Sequence, residues 1–410
     1  MNGVTGQKRH GPIGALGLAL AHIRATWGGF VANAGLLALA AASLVFLAAA
    51  LAALQARAER DAQGVDLVVG AKGSGLQIVL SSLYHVDISP GNIPLAEAEQ
   101  LARHPMVAKA VPISLGDNFR GFRIVGNSGL VALYGASLAQ GADAVRAMDA
   151  VLGAAVADRS GLKLGDTFFS THGLAEGGAE HRDARYTVTG VLAPTGTVLD
   201  RLILTPLDSV WFVHEGYVKD PEELKILQAE REVSAVLLRY RSPIAAATLP
   251  RAINAGERTT AASPAFESAR LLALFEPAVL LMQAFALLLM LASLTSIALA
   301  THVSLRERRA DAAVLRMMGM SRLRLLRQYL LEAGLLGLGG TALGALIAWL
   351  VLRITAIWLA GGPKIPMPEL VQFGQAWAWL LVALPVALLA SLPSALRAIR
   401  VEPSRILAER

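Results

Sequence analysis

The 410-residue sequence contains no cysteine, and charged residues make up only 17% of it. The missing thiols exclude disulfides and thiolate metal sites, while leaving the compartment open. Scarce charge, combined with 54% hydrophobic residues and a mean hydropathy of +0.51, excludes a chain folded wholly in water. Charge is absent altogether from four stretches: Gly28–Leu54, Pro277–Leu305, Ala333–Leu352 and Leu370–Leu396. A helix needs about 20 residues to cross a hydrocarbon core of about 30 Å, so each stretch predicts a transmembrane helix. The first is far longer than the apolar run of about 7 to 15 residues in a secretory signal, and reads as an uncleaved anchor.

Most basic residues in the short segments that flank these stretches sort to one side, with the acids Glu307, Asp311 and Glu332 among them. Residues 1–27 hold Lys8, Arg9 and Arg24 with no acid; the 306–332 loop holds Arg306, Arg308, Arg309, Arg316, Arg322, Arg324 and Arg327; the 397–410 tail holds Arg397, Arg400, Arg405 and Arg410. Basic residues in short flanks stay on the cytoplasmic side. All three segments share that side only when both termini are cytoplasmic and four helices cross, at 28–54, 277–305, 333–352 and 370–396. The net charge of +6 is then what the topology demands, and no nucleic-acid partner is called for. Residues 55–276, and a short 353–369 loop, fall outside the cytoplasm. The expected fold class is an α-helical membrane protein with a large α+β extracytoplasmic domain between helices 1 and 2.

Within that domain Val65–Val69 and Gln77–Leu80 read as extended. Pro94 opens a helix that Pro105 stops, and "MVAKAVPI" resumes as a strand; "AVADRSGLKLGDTF" reads as helix, glycine turn and strand; "RYTVTGVLAPTG", "DRLILTP" and "VSAVLLRYR" read as strands. The stretch "LVVGAKGSGLQ" has the Gly70 to Gly75 spacing of a phosphate cradle. The cradle lysine must directly follow the last glycine, and here Leu76 and Gln77 do, with Lys72 inside the loop. That pattern, outside the cytoplasm, predicts a strand and turn without nucleotide. His172, Glu176, Glu180 and His181 in a glycine-rich run could converge on zinc, but no helix fixes their spacing and a solvated loop is the plainer reading. His85, beside Tyr84 and Asp87, reads as a hydrogen-bonded structural histidine. No G-x-S-x-G elbow or other catalytic constellation is present, so the chain is expected not to be an enzyme and to hold no cofactor.

The most informative segment runs "SLRERRADAAVLRMMGMSRLRLLRQYLLEAGLLGLGGTALGALIAWLV", Ser304 to Val351. Val314, Met317 and Met318 share one helical face, Gly319 suits a helix stop, and Ser321 can cap a second helix entering the membrane. The resulting corner, apolar on one side and basic around it, could lie on anionic lipid or dock into a partner protein. Gly337, Gly340 and Gly344 permit close helix packing, or serve as flexible apolar filler.

This stretch resembles the core of the FtsX-like, MacB-type permease family of ABC transporters, whose four-helix subunits include LolC and LolE. Glu307, Arg308, Arg309, Leu315, Arg316, Gly319, Ser321, Glu332, Gly337, Gly340 and Gly344 stand in the places of the family pattern, and the tail matches its ending at Pro393, Ser394, Ala398, Pro403 and Leu407. "VLGAAVADRSGLKLGDTF" and "YTVTGVLAPTG" are similar to the family's extracytoplasmic core. The resemblance implies an inner-membrane permease subunit for export, lipoprotein release or peptide or small-molecule efflux. It implies a separate MacB- or LolD-like ATPase holding ATP-Mg, since only about 27 residues precede the first helix, and a second permease, identical or paralogous. A further extracytoplasmic partner is also implied. Coupling to the ATPase would fall to Arg308, Arg309, Leu315, Arg316, Met318, Gly319 and Ser321, and helix packing to Gly337, Gly340 and Gly344. An alternative is an FtsX-like regulator that transports nothing and passes ATPase strokes to an external hydrolase.

Overall fold

A computed structural model of the chain describes residues 14–171, 180–215, 220–307, 314 and 317–360. Two compact units emerge: a helical one within 1–52 and 277–357, and an α+β one comprising Ala53–Glu276.

The helical unit contains α1 (Ala15–Ala25), most of α2 (Trp27–Asp61) and the apolar parts of two later long helices. Three helices among the described residues are long and apolar enough to cross a membrane: Trp27–Asp61, Pro264–Leu299 and Arg322–Thr355. The expected fourth crossing, 370–396, lies outside the described residues. Leu37, Ile297 and Leu336, one from each long helix, form a shared buried cluster with Phe30 packed against it. Short α1 is an addition to the expectation for residues 1–27. Its His22 places Nε2 3.6 Å from Glu332 Oε2.

The α+β unit opens with β1 (Leu67–Ala71), α3 (Gly75–Ser82), β2 (Ile93–Pro94), α4 (Leu95–Ala102), β3 (Val107–Phe119) and β4 (Phe122–Asn127). There follow α5 (Leu130–Leu133), β5 (Leu138–Gly141), β6 (Asp149–Leu152), α6 (Ala154–Ser160), β7 (Thr167–Thr171), β8 (Glu180–Leu192) and β9 (Leu202–Pro206). After these come α7 (Leu207–Glu215), α8 (Pro221–Ala229), β10 (Glu232–Val233), β11 (Ala235–Tyr240), α9 (Pro243–Asn254) and β12 (Thr259–Ala262). Two long helices, α10 (Pro264–Glu307) and α11 (Arg322–Ala360), follow. The main sheet runs β12-β1-β11-β3-β4-β9-β6-β8-β5, and β7 pairs with both β3 and β8. These pairings close a ring of β3, β4, β9, β6, β8 and β7.

Strand periodicity explains the layering. Along β1, Val68 joins a core with Ile78 and Val79 of α3, while Leu67 and Val69 join a different core with Ala98 of α4 and Leu249 of α9. Side chains alternate across the sheet, so both faces need cover and helices supply it. A third core, with Ile124, Leu152, Phe168, Tyr186, Val188 and Ile203, is drawn from strands of the ring.

Most expected elements match. The Pro94-led helix appears as α4 and the "MVAKAVPI" strand lies within β3. Gly161 takes a left-handed φ of 72° at the end of α6, as the glycine turn requires. One element is corrected: Gln77–Leu80, read as extended, lies inside α3. A run with only three consecutive apolar residues, Ile78, Val79 and Leu80, does not distinguish strand from buried helix by periodicity. What decides is packing: Ile78, Val79, Ser81 and Ser82 are buried, at the spacing of one helical face.

Candidate functional site

The corner between α10 and α11 has the helix stop and cap that the spacing predicts, as far as it is described. Val314 and Met317 are helical, and Met318 donates its amide to Val314 O at 3.0 Å. Gly319 then turns the chain with φ 95°, a conformation that side chains resist. Ser321 Oγ accepts the Arg324 amide at 3.3 Å, capping α11 at its first turn. Met317 and Met318 are 59% and 72% exposed, so among the described residues nothing covers the apolar face of the corner. Arg308, Arg309, Leu315 and Arg316 lie outside the described residues.

Of the three packing glycines, two meet the first long helix directly. A Cβ on Gly344 would stand 2.5 Å from Ala38 O and 2.8 Å from Ala41 Cβ, and one on Gly340 would stand 3.1 Å from Ala34 O. The backbones of the two helices thus approach closely at Gly340 and Gly344. Gly337 is buried, and its carbonyl accepts the Thr341 hydroxyl at 2.7 Å.

The glycine loop after β1 has a purely structural use. Gly70 makes room for Ile78, Gly73 for Pro90, and Gly75 for Glu267, whose Oε1 would lie 2.7 Å from an added Cβ. Lys72 Nζ donates to Gly256 O at 2.6 Å and to Asn254 O at 3.2 Å. The ammonium thus sits on the carbonyl end of α9, where helix partial charge is negative.

In the same unit lies a polar cluster that sequence reasoning missed. Asp61, the last residue of α2, is buried; its Oδ2 accepts Arg57 Nε at 3.1 Å and Arg201 NH2 at 2.9 Å, and its carbonyl accepts the Tyr134 hydroxyl at 2.7 Å. Tyr84 OH lies 2.6 Å from Ser268 Oγ and 3.4 Å from Ala58 O, so one phenol touches both α2 and α10. Burial raises the Tyr134 and Tyr84 phenols and lowers Arg201, whose partner Asp61 opposes that fall. Arg123 NH1 donates to Asp87 O at 2.7 Å, and burial brings the group down to about 10. The signal available in the sequence was Arg57 to Asp61, a helical i,i+4 pair just past the first apolar stretch.

His85 departs from expectation. Its Nδ1 is sealed from solvent and has no hydrogen-bond partner among the described residues, and its φ is 55°. Burial, then Arg123 and Arg201, hold the imidazole well below its ordinary value. The candidate zinc run is not placed: 172–179 and the side chains of 180–184 lie outside the description. Among the described residues no three His, Cys, Asp or Glu side chains could hold a metal.

Comparison with known families settles the class. The model of the MacB-like periplasmic core domain matches residues 31–255, more than half the chain, and the model of the FtsX-like permease C-terminal domain matches residues 284–403. The chain belongs to the FtsX/MacB-type permease family. Among solved structures, the permease is similar to the periplasmic region of MacB from Actinobacillus actinomycetemcomitans, at 12% identity and TM-score 0.33, covering 51% of this chain and 95% of that one. It is also similar to the extracellular domain of the noncanonic ABC-type transporter YknZ from Gram-positive bacteria, at 13% identity and TM-score 0.30, covering 48% and 98%. No curated protein matches the permease in sequence. As an ABC transporter permease of this family, it joins membrane-spanning helices to an extracytoplasmic domain.

Proposed function

We propose that the permease is a mechanical coupler: a separate ATPase binds ATP-Mg on the cytoplasmic side, and its closure is carried by the long helices to the extracytoplasmic domain. The observation that carries this reading is α10. It starts two residues after β12 of the outer sheet and continues through the charge-free stretch to Glu307, as one helix of 44 residues, about 66 Å long at 1.5 Å per residue. Pro277 lies inside it without ending it. A continuous helix passes displacement on, where a flexible linker would absorb it.

The corner from Met317 to Ser321 is the ATPase-docking face in this reading, with Arg308, Arg309, Leu315 and Arg316 completing it. Exposed Met317 and Met318 suit a protein partner, since flexible thioethers adapt to a groove. A second permease subunit, a fourth crossing at 370–396 and cytoplasmic termini complete the assembly. The chain performs no catalysis and holds no cofactor; its work is export, lipoprotein release or efflux driven by the partner's hydrolysis.

Met318→Asp tests the docking face. Burying a carboxylate in an apolar contact costs several kcal/mol, so the variant should insert normally yet lose the co-purifying ATPase or its coupling. Normal assembly and turnover by that variant would reject docking through this face.

A further inference from the structure

Tyr84 and His85 adjoin each other, and their environments differ in a way that couples them. Tyr84 ties Ala58 of α2 to Ser268 of α10 through one hydroxyl, at the points where both helices join the outer unit. The next residue puts an imidazole with a sealed, unpartnered Nδ1 in the field of two guanidiniums, Arg123 from β4 and Arg201 from the turn before β9. We propose that residues 83–89 form a proton-sensitive clasp: with His85 neutral it holds α2 and α10 together, and protonation of His85 beside Arg123 and Arg201 opens it. The proposal rests on the lever reading for its purpose, but not for its chemistry.

The charge balance around the clasp favours this outcome. Arg123 donates to the Asp87 carbonyl, while Arg201 and Arg57 both engage Asp61 Oδ2. Asp200, the other acid near Arg201, accepts the Thr195 and Gly196 amides and the Thr195 hydroxyl. Asp87 Oδ1 accepts the Ile88 amide. Asp61 Oδ2, Asp87 Oδ1 and both oxygens of Asp200 thus have partners, and among the described residues no carboxylate is hydrogen-bonded to His85, although Asp61 Oδ1 is buried without one. A third positive charge beside two guanidiniums, with no carboxylate in contact, is relieved by outward movement of the segment. His85 also holds a left-handed φ of 55°, a conformation asparagine tolerates and most side chains resist. The segment is anchored by the Tyr84 amide to Val79 O at 3.2 Å and the Val86 amide to Leu80 O at 3.0 Å, which gives a direct reporter.

The sign follows from linkage. An imidazole free in the open clasp titrates near 6.5, and in the closed clasp far lower, so the open state binds more protons and gains as pH falls below about 6.5. One unit below that value the opening equilibrium rises about tenfold. The experiment is hydrogen–deuterium exchange on the full chain in nanodiscs at pH 7.5 and 5.5, corrected for intrinsic rates. Wild type should lose about tenfold protection at Tyr84 and Val86 on acidification, His85→Asn should show no such loss, and Tyr84→Phe should be less protected at both pH values. Arg123→Gln, which keeps the imidazole but removes one repelling charge, should shrink the acid-induced loss of protection. Equal acid sensitivity in His85→Asn, or none in wild type, would overturn the clasp. No ATPase or nucleotide enters the measurement, so its failure leaves the lever reading standing, and the lever's failure leaves the clasp.

Discussion

Lys72 shows how a side chain is assigned by its contacts. Its ammonium caps α9 through two carbonyls, and the glycines around it are set by Ile78, Pro90 and Glu267. Lys72→Ala should therefore leave the ATP affinity of the purified complex unchanged, while lowering outer-domain stability by about 1 kcal/mol, the scale of hydrogen bonds made by a charged group at a helix end. Isothermal titration and a thermal melt separate the two effects. The displaced lysine was legible in the sequence because the cradle has a strict spacing. The contacts of Asp61 with Arg201 and Tyr134 were not, because the partners lie 140 and 73 residues away, and single-sequence patterns reach no further than a few turns. Exposure is equally hidden: Ser170, a polar residue of β7, is fully buried and donates to Asp117.

Among the elements, the long apolar helices were the most legible, since absence of charge over 20 residues has few explanations in a folded chain. α3 was misread because three consecutive apolar residues fit either period, and the choice rests on which neighbours they bury. At the level of helix pairs, the α2–α11 contact gives a clean contrast. Gly344→Leu forces a side chain into the Ala38 and Ala42 backbone and the Ala41 methyl, and overpacking costs about 1 to 3 kcal/mol. Gly339, by contrast, meets nothing within 4 Å, so Gly339→Leu should be tolerated. Thermal melts of the two variants in detergent should differ by several degrees, with Gly344→Leu the lower; equal melts would refute close packing at Gly344.

At the scale of the whole molecule, the account requires the α+β unit and the inner corner to lie on opposite sides of the membrane. The absence of native cysteine makes this simple to measure. Val145, 80% exposed, replaced by Cys should react with an impermeant maleimide in intact spheroplasts, and Ser321→Cys should react only after lysis. Labelling of both in intact cells would remove the topology. The family, and a large α+β domain between apolar helices, were legible from charge distribution and the glycine-arginine pattern; that α10 remains one helix through Pro277 was not. The most direct test of the lever is a cysteine at Ala269, an exposed position of α10 in the outer unit, in the permease assembled with its ATPase and second subunit. The yield of crosslinks between the paired subunits should change severalfold between the nucleotide-free and the vanadate-trapped complex, whereas equal yields in a complex that still hydrolyses ATP and processes its substrate would contradict the account.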